Sequence, residues 1–339
     1  MAFRFASSLL LRILAWKRFL PTGRNSSSAL GIGTHSSVLE SPLHRPCKSE
    51  KNQYLVSQYV HRNRDQVKIW FTKMSGAGND FVVIDNRSKQ IRNGPRVARI
   101  LCDRRWGVGA DGLLLLQKSR IAGYRLMYFN ADGSYGGMCG NGGRCIARYA
   151  VLNKIAPRNH CFEALDHVYA ASVRGSVVGL TMRDPRGFRL KRNIRLRGQA
   201  IVMSEVDTGS PHVVVRCEAL GRRKSLKSID VMALGREIRY HSAFKPAGTN
   251  VNFIERGKGN SIRIRTYERG VEAETLACGT GSIASAIVAS RLWEFKSPIV
   301  VVPESGKKLR VEFDDDGTKI SNVRLVGPAA VSFYGIFWL

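Results

Sequence analysis

The sequence predicts an α/β fold built from two pseudo-symmetric domains that face a shared cleft. Three observations predict it. A Cys-Gly-x-Gly turn stands in each half, at Cys139-Gly140-Asn141-Gly142 and at Cys278-Gly279-Thr280-Gly281, 139 positions apart. Each turn leads into a helical segment, Gly143 to Asn153 and Ser282 to Trp293, the second apolar on nearly every side as a buried helix is. Each is also preceded by the same series, a turn feeding a Val-rich strand and then a strand with a polar tip.

The chain opens with residues 1 to about 39, which hold no Asp or Glu while Arg4, Arg12, Lys17, Arg18 and Arg24 punctuate Ser, Ala and Leu. That is the composition of an organelle transit peptide, for plastid or mitochondrion without distinction, with the cytosol as the alternative location. Arg12 interrupts the apolar run, so no transmembrane segment of about 20 residues is expected there. A secretory signal is the rival reading. Residues 40–67, polar and basic, read as a linker, so 1–67 is expected to stand apart from two domains at 68–195 and 196–335.

The folded part begins with a strand at Val67 to Met74, a turn at Ser75-Gly-Ala-Gly-Asn-Asp80 and a strand at Phe81 to Asp85. Asn79 offers a donor and an acceptor at that turn. Arg104 to Gly112 reads as a helix end and a loop ahead of a buried strand of four leucines. A strand at Tyr124 to Phe129 then delivers Asn130, nine residues before Cys139.

The second half repeats the plan. Gly209-Ser210-Pro211-His212 feeds Val213-Val214-Val215, and Ser261 to Tyr267 alternates Ile and Arg as a half-buried strand does. It delivers Glu268-Arg269-Gly270, with Glu268 ten residues before Cys278.

The net charge is +28, of which eleven Lys/Arg against three acids in residues 1–70 account for +8, leaving +20 in the remainder. Cationic side chains are spread over the chain, with short runs at Arg222-Arg223-Lys224 and Lys307-Lys308, and no nucleic-acid motif accompanies them. Nucleic acid is therefore not the expected partner. Apolar content of 44% is ample for two cores. The seven cysteines show no Cys-x-x-Cys pair and no zinc spacing, which argues for reduced thiols and against a structural metal.

Cys139 and Cys278 each sit at a helix N-terminus, where free N–H groups favour an anion. That setting is expected to lower a thiol pKa into a range of about 3.5–7.5. Cys145, inside the first helix, reads as a core residue. Two thiols on opposite faces of one carbon suit a two-base racemase: a thiolate removes a proton from one face and a thiol supplies one to the other. Neither metal, pyridoxal nor nicotinamide is needed, and the helix ends stabilise the carbanion's carboxylate. Arg269 is a natural carboxylate clamp and Glu268 an ammonium partner.

Taken together, Ser75-Gly-Ala-Gly-Asn-Asp-Phe81, Gly107-Val-Gly-Ala-Asp-Gly112, Asn130-Ala-Asp-Gly133, Met138-Cys-Gly-Asn-Gly-Gly-Arg-Cys145, Gly209-Ser-Pro-His212, Gly248-Thr-Asn-Val-Asn-Phe253 and Tyr267 to Gly281 resemble, in order, the motifs of diaminopimelate epimerase. The resemblance covers about residues 68–335. It implies two domains, each a mixed, largely antiparallel sheet curled around a central helix. It also implies cofactor-independent interconversion of LL- and meso-diaminopimelate in lysine and cell-wall precursor synthesis. By matched position Cys139 and Cys278 are the acid/base pair. Asn79, Asn130, Ser210, Asn250, Glu268 and Arg269 hold the substrate, and Gly140, Asn141, Gly279 and Thr280 supply helix-end contacts. The partner implied is a small amino-acid substrate, and a homodimer is compatible with this reading.

Three departures stand out. Ser210 stands where the family commonly has Asn, Tyr135 replaces a usual acidic residue, and the positive charge exceeds what a zwitterionic substrate explains. The alternatives are a proline racemase-like enzyme of the same fold and a non-catalytic basic binding protein on this scaffold. Asn79-Asp80-Phe81 and Glu268-Arg269-Gly270 argue against the first, and the paired cysteines against the second.

Overall fold

The computed structural model describes residues 67–221 and 225–339. The expected transit peptide and nearly all of the linker, and the basic run at 222–224, lie outside the described residues. The first half comprises β1 (Lys68–Gly76), β2 (Asn79–Asp85), α1 (Gly94–Cys102), β3 (Gly112–Gln117), β4 (Arg125–Asn130), α2 (Gly140–Leu152), β5 (Asn159–Ala164), β6 (His167–Arg174) and β7 (Val177–Thr181). There follow β8 (Arg186–Leu196), β9 (Gln199–Asp207), β10 (Pro211–Arg216), α3 (Val231–Arg239), β11 (Asn250–Arg256), β12 (Ser261–Glu268) and β13 (Ala273–Thr275). The chain ends with α4 (Gly279–Trp293), β14 (Ile299–Val302), β15 (Leu309–Asp315), β16 (Ile320–Pro328) and β17 (Ala330–Trp338).

The pairing pattern is written twice. β1–β2 is antiparallel, β2–β3 parallel, β3–β4 antiparallel and β4–β5 parallel. In the second half β9–β10, β10–β11, β11–β12 and β12–β14 repeat that order of directions. β5–β6–β7 and β14–β15–β16 are antiparallel meanders, and β7 pairs with β16, the two matched strands meeting each other. The strand that follows β7, β8, pairs with β9, while the strand that follows β16, β17, returns to pair with β1. Each half therefore passes its last strand to the other half's sheet. The position between Arg195 and Leu196, where the sequence suggested a boundary, lies at the end of β8.

α2 packs against β1 to β4, β6 and β7, and α4 against β9 to β12 and β14 to β16, so the sheet curls around each helix as expected. The mostly antiparallel pairing and the duplicated order agree with the fold foreseen. α4 survives as a helix with no polar face because it has none to expose: Ile283, Ala284, Ala286, Ile287, Val288 and Ala289 are wholly buried. One continuous core surrounds both helices. Two satellite cores lie under α1, around Val97, Leu101 and Phe129, and under α3, around Ile238 and Phe253. No described helix is long and apolar enough to cross a membrane.

Candidate active site

Both central helices begin three residues earlier than their apolar patterns do, at Gly140 and Gly279, which makes each cysteine the N-cap. The glycines hide the start, since they carry no apolar signal and disfavour helix interiors. Cys139 has φ −110° and ψ 126°, and Cys278 has φ −108° and ψ 118°. Neither helix has a Ser, Thr, Asp or Asn cap, in contrast to α1 and α3, which are closed by Asn93 and Asp230. At α4 the Gly281 N–H donates to Cys278 Sγ at 3.4 Å. Capping by sulfur leaves most of the first-turn N–H groups for a ligand.

The two N-termini meet. A Cβ placed on Gly279 would lie 3.6 Å from Gly140 Cα, and a Cβ on either glycine would lie 3.1 Å from the same atom, Leu325 Cδ2. A side chain at either position would crowd that leucine, and glycine at both lets the two turns lie close together. The duplication thus brings the two cysteine turns together.

Polar side chains tie the turns to their surroundings. Asn141, wholly buried, donates through Nδ2 to Asn79 Oδ1 at 2.7 Å and to the Ala277 carbonyl at 3.2 Å. Asn79 Nδ2 donates in turn to Asp111 at 3.0 Å, so Asn79 uses both the donor and the acceptor foreseen for it. Across the site, Asn250 Nδ2 donates to the Pro211 carbonyl and to Ser210 Oγ, and its Oδ1 accepts from the Arg269 backbone N–H at 2.8 Å. Ser210 Oγ lies 3.5 Å from Thr280 Oγ1, which lies 3.5 Å from Cys278 Sγ. The hydroxyl that stands in place of an amide is thus taken up by the protein's own network.

Asn252 Nδ2 donates to His212 Nδ1 at 3.1 Å, while Asn252 Oδ1 accepts from Thr266. That leaves Nε2 of His212 as the N–H that donates to Ser210 Oγ at 3.0 Å. Burial, and then the charge of Arg269, push this imidazole down to about 3, so it is neutral.

Glu268 accepts from Thr275 Oγ1 at 2.9 Å, and burial pushes its carboxyl up despite that bond. The Arg269 guanidinium donates to the Ala247 carbonyl at 3.3 Å and, among the described residues, pairs with no carboxylate, leaving it open to an incoming one. Asn130 is held by its own turn, accepting from Tyr128 Oη at 2.6 Å and donating to Ser134 Oγ at 2.9 Å. Tyr135 packs edge-on against Phe129, with its Oη 4.0 Å from Met127 Sδ, so an apolar contact stands at this position beside the Asn130 turn.

The thiols correct one expectation. Burial pushes Cys139 up, and the nearby Glu268 adds to the rise, while the N–H groups of Gly142 and Asn141 pull it back only in part. Cys278 is pushed up in the same way, by burial and by Glu268, with Thr280 and Gly281 opposing. Desolvation outweighs the helix ends, and both cysteines rest as thiols where lowered values were anticipated. Cys102, Cys139, Cys145, Cys161, Cys217 and Cys278 are all unbridged.

Several supporting residues escaped the sequence reading. Asp111 anchors Asn79 and the Asp80 N–H, and Arg104 bridges Asp111 and Asp80. Burial would raise the Asp80 carboxyl, but hydrogen bonds from Arg104 and Lys73 bring it down to about 2. Thr208 donates to the Thr280 carbonyl at 3.0 Å. The one available signal was Asp111 between two loop glycines; Thr208 and Thr275 carry none.

A family model described as diaminopimelate epimerase matches residues 71–165 and 204–331. A diaminopimelate epimerase of Chlorobaculum tepidum is 43% identical over 270 residues, spanning 78% of this chain and 100% of that protein. Those of Hydrogenobaculum sp. and Archaeoglobus fulgidus are 41% and 39% identical, spanning 78% and 80% of this chain and 97% and 98% of their own lengths. Among solved structures, a hydroxyproline epimerase from Agrobacterium vitis superposes with a TM-score of 0.60 at 15% identity, over 80% of this chain and 93% of that one. A phenazine biosynthesis protein of the PhzF family from Bacillus anthracis gives 0.60 at 13%, over 80% and 99%. These two share the fold. With a family model spanning both halves and relatives matched over nearly their full length, the chain belongs to the diaminopimelate epimerase family.

Proposed function

We propose that this isomerase interconverts LL- and meso-diaminopimelate, in lysine biosynthesis, with Cys139 and Cys278 as the two acid/base groups and no cofactor. The observation that carries the reading is the meeting of two cysteine-capped helix ends at Gly140 and Gly279. A substrate carboxylate at that junction receives N–H groups from both helices, which oppose the negative charge that develops when the α-proton leaves. One thiolate takes the proton from one face and becomes a thiol. The opposite thiol gives its proton to the other face and becomes a thiolate, so atoms and charge balance and the centre is inverted.

Burial, with the charge of Glu268 adding to it, keeps both thiols protonated. A substrate ammonium against Glu268 offsets that charge, and one thiol then releases its proton to solvent as the site fills. Arg269 takes a carboxylate, while Asn79, Asn130, Ser210 and Asn250 orient the amine and carboxylate groups. Gly140, Asn141, Gly279 and Thr280 supply contacts at the helix ends. The two-domain division at 68–195 and 196–335 belongs to the same proposal.

The test is α-hydrogen exchange of LL-diaminopimelate in deuterated water with the full chain. Deuterium at the α-carbon is expected. Exchange with proline and none with diaminopimelate overturns the assignment.

The proposed assembly is a homodimer through β17, which pairs with β1 on one side and exposes Tyr334, Ile336 and Trp338. Sedimentation at twice the chain mass is expected, reduced by Trp338→Glu; a monomeric wild type refutes it. The proposed location is an organelle, reached through residues 1–67. A diffuse cytosolic signal from a fusion of that segment to a fluorescent reporter refutes it.

A further inference from the structure

Arg144 lies in the interior of α2 and is wholly buried. Its Nη1 donates to the Gly140 carbonyl at 3.2 Å, Nη2 to Asn141 Oδ1 at 2.6 Å and Nε to the Pro328 carbonyl at 3.4 Å. All three acceptors are neutral, and among the described residues no carboxylate pairs with it. A buried guanidinium is ordinarily matched by an anion, because hydrogen bonds to neutral groups do not return the solvation energy of the charge. Burial pulls Arg144 down to about 10, which still leaves it protonated at neutral pH.

The guanidinium reaches back along α2 to the residue next to the Cys139 cap. Cys139 and Cys145 are the ionisable groups that act on it. Cys145 lies in the apolar core with its Sγ packed under Gly76 of β1, away from solvent and substrate, so it does not serve as the anion. Cys139 remains.

The duplication supplies the comparison. Five residues after Cys139 comes Arg144; five residues after Cys278 comes Ile283, also wholly buried. Pseudo-symmetry therefore holds for the caps, the glycines that follow them and the strands, and fails at this buried, charged position of α2. The groups facing Cys139 from other elements are Glu268 on β12, Tyr128 on β4 and Cys278 at the start of α4, none of them cationic.

We propose that Arg144 is a positioning residue whose buried charge becomes the counter-ion of the Cys139 thiolate when that thiol ionises, so that Cys139 ionises before Cys278. This rests on the two-thiol reading and adds to it an electrostatic inequality between the two thiols. Arg144 also fixes Asn141, which bonds to the carbonyl beside Cys278, so one side chain sets both the charge and the spacing of the pair.

The test is site-resolved alkylation by iodoacetamide of the full chain without substrate, followed by mass spectrometry across pH. In the wild type the midpoint for Cys139 is expected below that for Cys278. Arg144→Gln moves the Cys139 midpoint upward by about one pH unit, a roughly tenfold loss of rate below the midpoint, and Arg144→Lys restores most of it. An unchanged Cys139 midpoint in folded Arg144→Gln overturns the proposal. If that variant does not fold, a wild-type Cys278 midpoint at or below that of Cys139 overturns it alone. Because thiols are read directly, loss of the epimerase reading shows in the exchange assay and not here.

Discussion

Asn141 Nδ2 donates to the Ala277 carbonyl at 3.2 Å, which ties the turn of the first cysteine to the turn of the second across 136 positions of sequence. The same side chain bonds to Asn79 and Arg144, so Asn141→Ala strands three polar partners at once, two of them buried and Asn79 half-buried. The expected cost is about 3 kcal/mol of stability, from unsatisfied buried groups. Urea denaturation measures it; a loss under about 1 kcal/mol would show that the tie is incidental.

Either Cys139→Ser or Cys278→Ser is expected to lower the rate of inversion by a factor of about 10² or more, because a hydroxyl is too weak an acid to replace a thiol as a general acid/base. Each variant should keep its fold, since the cap geometry is carried by the backbone. With both thiols raised first by burial and then by Glu268, the wild-type kcat/KM is expected to climb with pH through the neutral range. Near-normal turnover by either variant would end the two-base reading.

The duplicated order of turns, strands and cysteines was legible because it is written in local residue types. Strand pairing was not, since period-2 alternation says which face is buried but never which strand lies alongside. Nothing in Arg186 to Leu196 or Ala330 to Trp338 announces that each crosses to the other half's sheet. Thiol ionisation is hidden from the sequence for a related reason: a helix N-terminus is visible there, while the depth of burial that overrides it is not. Arg144 stands in plain view between the Gly-Gly pair and Cys145, yet its lack of an acidic partner among the described residues is a property of the packed interior.

His212 gives the protein a sensitivity to acid. Its folded pKa, lowered to about 3 by burial and by Arg269, lies below the ordinary 6.5. The group therefore contributes stability that is present above about pH 6.5 and is lost as pH falls toward 3. Each pH unit in that window costs up to about 1.4 kcal/mol. Urea midpoints between pH 7.5 and 4.5 should fall more steeply in wild type than in His212→Gln. Parallel slopes would mean that His212 is protonated without unfolding the site.

Gly279→Ala tests the contact that carries the functional reading. Its Cβ would press on Leu325 Cδ2 at 3.1 Å and rest in ordinary contact with Gly140 Cα at 3.6 Å. The leucine end can yield by rotation, so the methyl is accommodated between the two helix ends without forcing them apart. Overpacking of this kind costs about 1–3 kcal/mol. The added methyl should appear in kcat more than in KM, since it stands where the helix ends meet the developing charge while substrate groups held by Arg269 and Asn250 are undisturbed. Adding Leu325→Ala should restore stability in part and leave kcat low. Full recovery of kcat in the double variant would assign the effect to the leucine and not to the meeting of the helices.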